Sequence, residues 1–142
     1  MHGVITMVGR CLVLGCVGLG LLFWIPLSEG AEDGKASPKV IKTIPKNGGT
    51  NVSSALGEIR VSFSKPMRDK SWSWSYEDKS TFPEVTGEPH YTDNGTTCVL
   101  PVKLQPNKRY VIWINTTRLK NFKDQSGTPA EPYKLTFITR QE

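Results

Sequence analysis

The sequence predicts an all-β protein that folds as one β-sandwich of about seven strands. Thirteen glycines and ten prolines make this chain of 142 residues too rich in turn formers for a helical bundle. Short segments of alternating polarity recur about every 8 to 15 residues, and no long segment carries the hydrophobic period of a helix. After a leader of about 30 residues, roughly 112 residues remain, which is the size of a single domain.

Residues 1–30 have the features of a secretory signal peptide. Residues 11–26 are an uncharged apolar run behind Arg10, and the small residues Ser28 and Gly30 stand at positions −3 and −1 of a cleavage site. The run of about 16 residues is shorter than the ~20 that a helix needs to cross a bilayer. We therefore expect the domain to be secreted, or to lie in the cell envelope outside the cytoplasm.

Two alternatives remain open for this leader. Counted back through Arg10 to Val4, the apolar stretch is long enough to serve as an uncleaved membrane anchor. Residues 13–16 (VLGC) also resemble a bacterial lipobox, in which the thiol of Cys16 is lipidated. A membrane contact is expected only through this N-terminal segment.

The domain itself is predicted to span residues 38–140, after a small and polar linker at 31–37. Its first strand is Val40 to Ile44, which ends at Pro45 and a cluster of turn formers. The second strand, Glu58 to Ser64, places three core residues on one face, namely Ile59, Val61 and Phe63.

A third strand is predicted where aromatic and serine residues alternate. Trp72, Trp74 and Tyr76 share one face, and serines occupy the other. We expect the aromatic face to lie in the core, because a tryptophan on this strand commonly fills a sandwich and inward serines would bury hydroxyls that need partners. The opposite orientation stays open.

A tight hairpin is predicted at Asp93-Asn94-Gly95, since Asn-Gly readily takes the positive φ angles of such a turn. The returning strand places Cys98 on an inward face with alternating apolar residues, as far as Leu104. On this face Cys98 is expected to be a buried packing residue rather than a reactive thiol. Once the leader is removed, Cys98 is the only cysteine, so we expect neither an internal disulfide nor a Cys/His metal site.

The spacing of Leu104, Pro106 and Tyr110 is that of a tyrosine corner, in which the tyrosine hydroxyl bonds to backbone a few residues upstream. Tyr110 and its alternating neighbours are therefore expected to face the core. A long loop is predicted at residues 118–131, and the last strand places three residues inward, namely Tyr133, Leu135 and Phe137.

Four fragments in this order resemble one known family, the bacterial Ig-like domain of the S-layer (SbsA) type, over about residues 38–140. The fragments are Ile44-Pro45-Lys46-Asn47-Gly48, Phe63-Ser64-Lys65-Pro66-Met67, Leu104-x-Pro106-x-x-x-Tyr110 and Phe122-x-Asp124-x-x-Gly127-x-Pro129. The resemblance implies an Ig-like or fibronectin-III-like sandwich in an extracytoplasmic module without catalytic residues of its own. Such modules usually belong to larger surface proteins or accompany a secreted enzyme.

Charge and polar residues exclude several function classes. The formal net charge is +5, but the basic residues are scattered and no run of five occurs, so nucleic acid is not an expected partner. His90 is the one histidine after the leader, and no nucleophile motif accompanies it. The acidic residues show no spacing typical of a catalytic pair or a calcium loop. We expect no enzyme activity, no cofactor and no bound metal.

The last two strands are predicted to carry an exposed apolar patch. If Tyr110 points inward, then Val111 and Trp113 point outward, and Ile138 points outward from the final strand. These strands pair in an Ig-type sandwich, and the third strand flanks them. Exposed aromatic side chains anchor interfaces or stack on sugar rings. The hypothesis is that Val111, Trp113 and Ile138 bind a protein or a cell-wall glycan; the alternative is a structural spacer without a ligand.

Overall fold

The computed structural model describes residues 36–142. The predicted signal peptide, its two alternatives and nearly all of the predicted linker lie outside the described residues. Within the described part, no helix has the length and apolar character needed to cross a membrane.

Nine strands form two sheets in the described part of the chain. One sheet runs β1-β3-β7, with β5 and β6 pairing in succession along the other edge of β7, and the second runs β2-β9-β8-β4. The predicted all-β sandwich is confirmed. The strands are β1 (Val40–Ile44), β2 (Gly49–Val52), β3 (Glu58–Phe63), β4 (Trp74–Ser75), β5 (Glu84–Val85), β6 (His90–Thr92), β7 (Thr97–Lys103), β8 (Arg109–Ile114) and β9 (Tyr133–Thr139).

The core lies between the sheets and consists of the inward positions that strand alternation predicts. Burying a side chain of this size contributes about 1.5–3 kcal/mol relative to leaving it exposed. Phe122, from the long loop, adds to this core and is fully buried. The predicted core residues that are buried are Ile59, Val61, Phe63, Cys98, Leu100, Val102, Leu104, Tyr110, Ile112, Ile114, Leu135 and Phe137.

Strands β2 and β5 are not among the predicted strands. Strand β2 lies directly behind the turn at residues 46–49 and pairs in parallel with β9. The side chain of Asn47, just before β2, binds to the backbone of β9. Its Oδ1 accepts a hydrogen bond from the N–H of Thr136 at 2.9 Å, and its Nδ2 donates one to the carbonyl of Lys134 at 3.2 Å. The side chain of Asn47 thus makes bonds to the backbone of β9 that a strand residue would otherwise make with its own backbone. Such bonds leave no alternating pattern in the sequence.

The strand predicted as the third is β4 in the structure. It is shorter than predicted, and one of its three aromatic residues lies at the surface rather than in the core. Only Trp74 and Ser75 pair with β8. Trp72 and Trp74 are half-buried and pack against the core, as expected, but Tyr76 is 47% exposed, which corrects the prediction. The alternation ends with the pairing at Ser75, so the Tyr76 ring turns to Phe82, with ring centroids 5.4 Å apart.

The hairpin and the tyrosine corner are confirmed. Asp93, Asn94 and Gly95 have φ angles of 53°, 56° and 82°, so the connection between β6 and β7 has three left-handed residues in a row. The Tyr110 hydroxyl accepts a hydrogen bond from the backbone N–H of Gln105 at 2.8 Å. Pro106 is exposed in the turn that this bond closes.

The long loop after β8 is held to the core by Asn115. This residue is fully buried; its Nδ2 donates to the carbonyls of Phe122 and Ala130, at 3.1 and 2.9 Å, and its Oδ1 accepts from the N–H of Phe122 at 2.9 Å. Further along, Asp124 Oδ1 accepts from the N–H groups of Ser126 and Thr128. Side-chain hydrogen bonds therefore organise a segment that has almost no regular structure.

Candidate functional site

The three residues of the predicted ligand patch share one face of the second sheet but do not form one surface. Along β8 and β9, Trp113 is opposite Lys134, Val111 is opposite Thr136, and Arg109 is opposite Ile138. At about 3.3 Å per residue, the four-residue offset separates Trp113 from Ile138 by roughly 13 Å along the strands. Ile138 is 38% exposed.

Val111 is buried rather than exposed. It points away from the core, as predicted, but only 9% of its surface reaches solvent. The chain that follows β4 forms a 3-10 turn at Lys79–Thr81, and this turn lies against β8. The alternation was predicted correctly, and the exposure of Val111 was not.

Trp113 is half-buried and held by two charged side chains. Its Nε1–H donates to Glu77 Oε1 at 2.9 Å, and Lys134 Nζ donates to the same oxygen at 3.1 Å. Lys134 Nζ also lies 5.3 Å from the centroid of the Trp113 ring, within cation–π range. The hydrogen bonds from Trp113 and Lys134 lower the pKa of the Glu77 carboxyl. This Glu77–Trp113–Lys134 cluster keeps the indole in one orientation.

Trp113 lines a shallow pocket of about 310 Å³, here called the Trp113 pocket. The exposed ring of Tyr76 forms a second aromatic wall. The remaining lining is polar apart from one proline: Glu77, Thr116, Thr117 and Pro132. Tyr76 lies directly after β4 and faces this pocket, although the sequence predicted that it would face the core. Sequence reasoning missed Glu77 and the two threonines, because they lie in connections without a periodic pattern.

A second pocket, of about 350 Å³, adjoins Tyr76 and is here called the lysine pocket. Three lysines, Lys79, Lys103 and Lys108, line it together with the ring of Phe82. Lys108 Nζ lies 5.4 Å from the centroid of the Tyr110 ring. Tyr76 belongs to both linings, so the two pockets are neighbours on this flank of the sandwich.

The residues considered for catalysis and metal binding are dispersed. Within residues 36–142, no three His, Cys, Asp or Glu side chains group closely enough to hold a metal ion. His90 is exposed on β6, and its Nδ1 lies 3.3 Å from the carbonyl oxygen of Glu88. Cys98 is buried, as predicted, and burial raises its pKa to about 12. Its thiol therefore stays protonated at neutral pH.

Comparison with known proteins identifies the family. No curated protein matches the chain. Two similar solved structures, domains 1–6 and the N-terminal part of the surface layer protein SbsC, are each 19% identical, with a TM-score of 0.48, over 75% of this chain. The chain spans only 14% and 24% of their lengths. A family model described as the bacterial Ig-like domain matches residues 34–139, so the chain belongs to the bacterial Ig-like domain family.

Proposed function

We propose that this chain is a non-catalytic module that acts outside the cytoplasm and binds a protein or cell-wall glycan at the Trp113 pocket. The observation that carries the proposal is that two aromatic side chains, the half-buried Trp113 and the exposed Tyr76, line one concave site of about 310 Å³. Membership of the bacterial Ig-like family and the signal-like leader support the extracytoplasmic location.

The chemistry of the lining favours a glycan among these ligands. Sugars present flat apolar ring faces bordered by hydroxyl groups, and the pocket offers aromatic faces bordered by polar groups. Glu77 accepts hydrogen bonds, and the hydroxyls of Thr116 and Thr117 both donate and accept them. A volume near 300 Å³ lies at the lower end of the range for small-ligand sites, about 300–1,000 Å³.

The Glu77–Trp113–Lys134 cluster supports binding by ordering the site in advance. The Trp113 indole already has its N–H bonded and its ring orientation held in the free protein. A ring that is ordered before binding loses little conformational freedom when the ligand arrives. Trp113 therefore supplies contact area at a low entropic cost.

The alternative function is a structural spacer without a ligand, and the same cluster favours it for a different reason. Glu77 bonds to side chains of both β8 and β9, so it attaches the chain that follows β4 to the sheet. Conformational stability alone is a sufficient role for such a cluster. The two functions differ in one respect, because only a binding module loses affinity when exposed pocket atoms are removed.

The test is co-sedimentation of the full chain with insoluble envelope material from its own host, across a salt series. Trp113→Ala and Tyr76→Ala each remove one pocket wall. Leu119→Ala is the matched control, since Leu119 is apolar, 49% exposed and outside the pocket lining. We expect salt-resistant binding that falls at least about tenfold in both pocket variants and stays unchanged in the control.

Three results would contradict binding at the Trp113 pocket. Equal sedimentation of all variants would place the binding surface elsewhere on the chain, and no sedimentation at any salt concentration would support the spacer. Binding that disappears with salt in every variant would mean non-specific attraction of the +5 chain. Trp113→Phe separates binding from folding, because it keeps an aromatic wall while losing the N–H bond to Glu77.

A further inference from the structure

We propose that the lysine pocket binds an anionic group, so that the preferred ligand of this module is an acidic carbohydrate carrying carboxylate or phosphate. This inference rests on the proposed binding function and names the chemical class of its ligand. The ligand extends over Tyr76 from one pocket to the other.

The lysines reach the pocket from three separate parts of the fold. Lys79 belongs to the 3-10 turn after β4, Lys103 is the last residue of β7, and Lys108 lies in the turn before β8. Tertiary structure therefore concentrates positive charge that is scattered in the sequence. The tyrosine corner that places Tyr110 holds the turn carrying Lys108, through the bond from the N–H of Gln105.

The positive charge of this pocket is poorly neutralised. The side chains of Lys79 and Lys103 have neither an ion pair nor a hydrogen bond with any residue from 36 to 142, and Lys108 Nζ bonds only to the neutral Gln105, at 3.4 Å. Glu84 is the one acidic residue in the lining. It is opposite Lys103 in the β5–β7 register but makes no ion pair with it. An anionic ligand would supply the missing counter-charge.

Tyr76 connects this pocket to the proposed glycan site. Its ring is 47% exposed, packs beside Phe82 and lines both pockets. In the Trp113 pocket, by contrast, the one charged lining residue, Glu77, is already neutralised by its ion pair with Lys134, which lies outside the lining. A ligand of two or more sugar units therefore finds an aromatic, neutral position on one side of Tyr76 and a cationic position on the other.

The experiment measures binding of defined probes to the full chain by isothermal titration calorimetry. The probes are tetragalacturonate, its fully methyl-esterified neutral form, and a phosphorylated maltotetraose. Because ion pairs supply much of the affinity, we expect saturable binding of at least one acidic probe and roughly tenfold weaker binding of the neutral one. The two acidic probes distinguish carboxylate from phosphate as the anionic group.

Paired variants separate a local site from overall charge. The double variant Lys79→Gln, Lys103→Gln should lower the affinity for the acidic probe roughly tenfold. The control variant Lys42→Gln, Lys120→Gln loses the same charge outside the pocket and should change that affinity less than about twofold. Glu84→Gln should tighten binding about two- to threefold by removing the opposing charge. A purely structural role for these lysines predicts no such tightening.

The inference is overturned if neither acidic probe shows saturable binding, or if both lysine pairs weaken it equally. Failure of the proposed function is a separate result. Envelope binding that depends on Trp113 but not on Lys79 and Lys103 would overturn the inference of an acidic ligand and leave the proposed binding function in place. Probe binding that depends on the lysines, with envelope binding unaffected by Trp113→Ala, would refute the Trp113 site.

Discussion

The inner face of β8 carries Tyr110, Ile112 and Ile114, none more than 1% exposed, whereas the outer face carries the 9% exposed Val111 and the half-buried Trp113. Both faces follow the same two-residue alternation. On the inner face the alternation also predicts the surroundings, because two sheets must bury their apolar sides against each other. On the outer face the alternation predicts only the direction in which a side chain points. Its exposure depends on whether a distant segment of the chain covers that face.

The sharpest test of this difference compares Ile112→Ala with Val111→Ala. Ile112 lies in the main core, so its truncation should lower the free energy of unfolding by about 2–5 kcal/mol. Val111 lies outside that core, and its truncation should lower it by about 1–2 kcal/mol. Urea unfolding of the full chain measures both. Equal losses would show that the outer face has a second core of comparable strength.

Asn115, directly after β8, tests whether the long loop depends on a single side chain. Asn115→Ala removes three hydrogen bonds to Phe122 and Ala130 and should lower the free energy of unfolding by about 2–4 kcal/mol. Asn115→Gly should be as harmful through the lost amide, although glycine accepts the φ of 56°. Asn121→Ala, at an exposed position, should stay within about 0.5 kcal/mol of the wild type. A glycine variant close to wild type would instead assign the effect to backbone strain.

The smallest expected effect concerns the pH response of the outer face. Hydrogen bonds from Trp113 and Lys134 lower the folded-state pKa of Glu77 below its ordinary value of 4.5. The stabilisation is therefore fully present above about pH 4.5 and is lost as the pH falls through the lowered folded-state pKa. The wild type should have a higher melting temperature than Glu77→Gln at neutral pH, and this difference should shrink as the solution becomes acidic.

A partner variant checks the origin of that pH response. Lys134→Gln removes the ion pair with Glu77 but leaves the bond from Trp113, so it should reduce the pH-dependent gap without abolishing it. A gap that persists unchanged would mean that Lys134 does not contribute to the lowered pKa of Glu77.

Much of the sandwich was predictable because its signals are local. The alternation in β3, β7, β8 and β9 identified the residues that these strands bury between the two sheets, and the hairpin at Asp93–Gly95 and the corner at Tyr110 follow from residue types at fixed spacing. Strand β2 was not predictable in this way. Its pairing with β9 depends on Asn47, whose side-chain bonds to residues almost ninety positions away leave no local pattern.

The candidate site was only partly predictable. The outward direction of Trp113 was correct, but the sequence grouped it with Val111 and Ile138 rather than with Tyr76 and Glu77. The register of β8 and β9 places Ile138 four residues away from Trp113. Because β4 ends at Ser75, Tyr76 does not follow the alternation of that strand. The lysine pocket had no signal at all, because its three lysines come from three different elements.

By itself, the sequence determined the fold class, the inward residues of the main strands and the family motifs, because each depends on short-range periodicity, turn chemistry or residue order. Tertiary structure alone decided which outward residues remain accessible and which charges converge. The chain between β4 and β5 crosses from one sheet to the other, and on its way it contributes walls to both pockets. Its course depends on contacts with distant strands, so no local pattern encodes the surface that it builds.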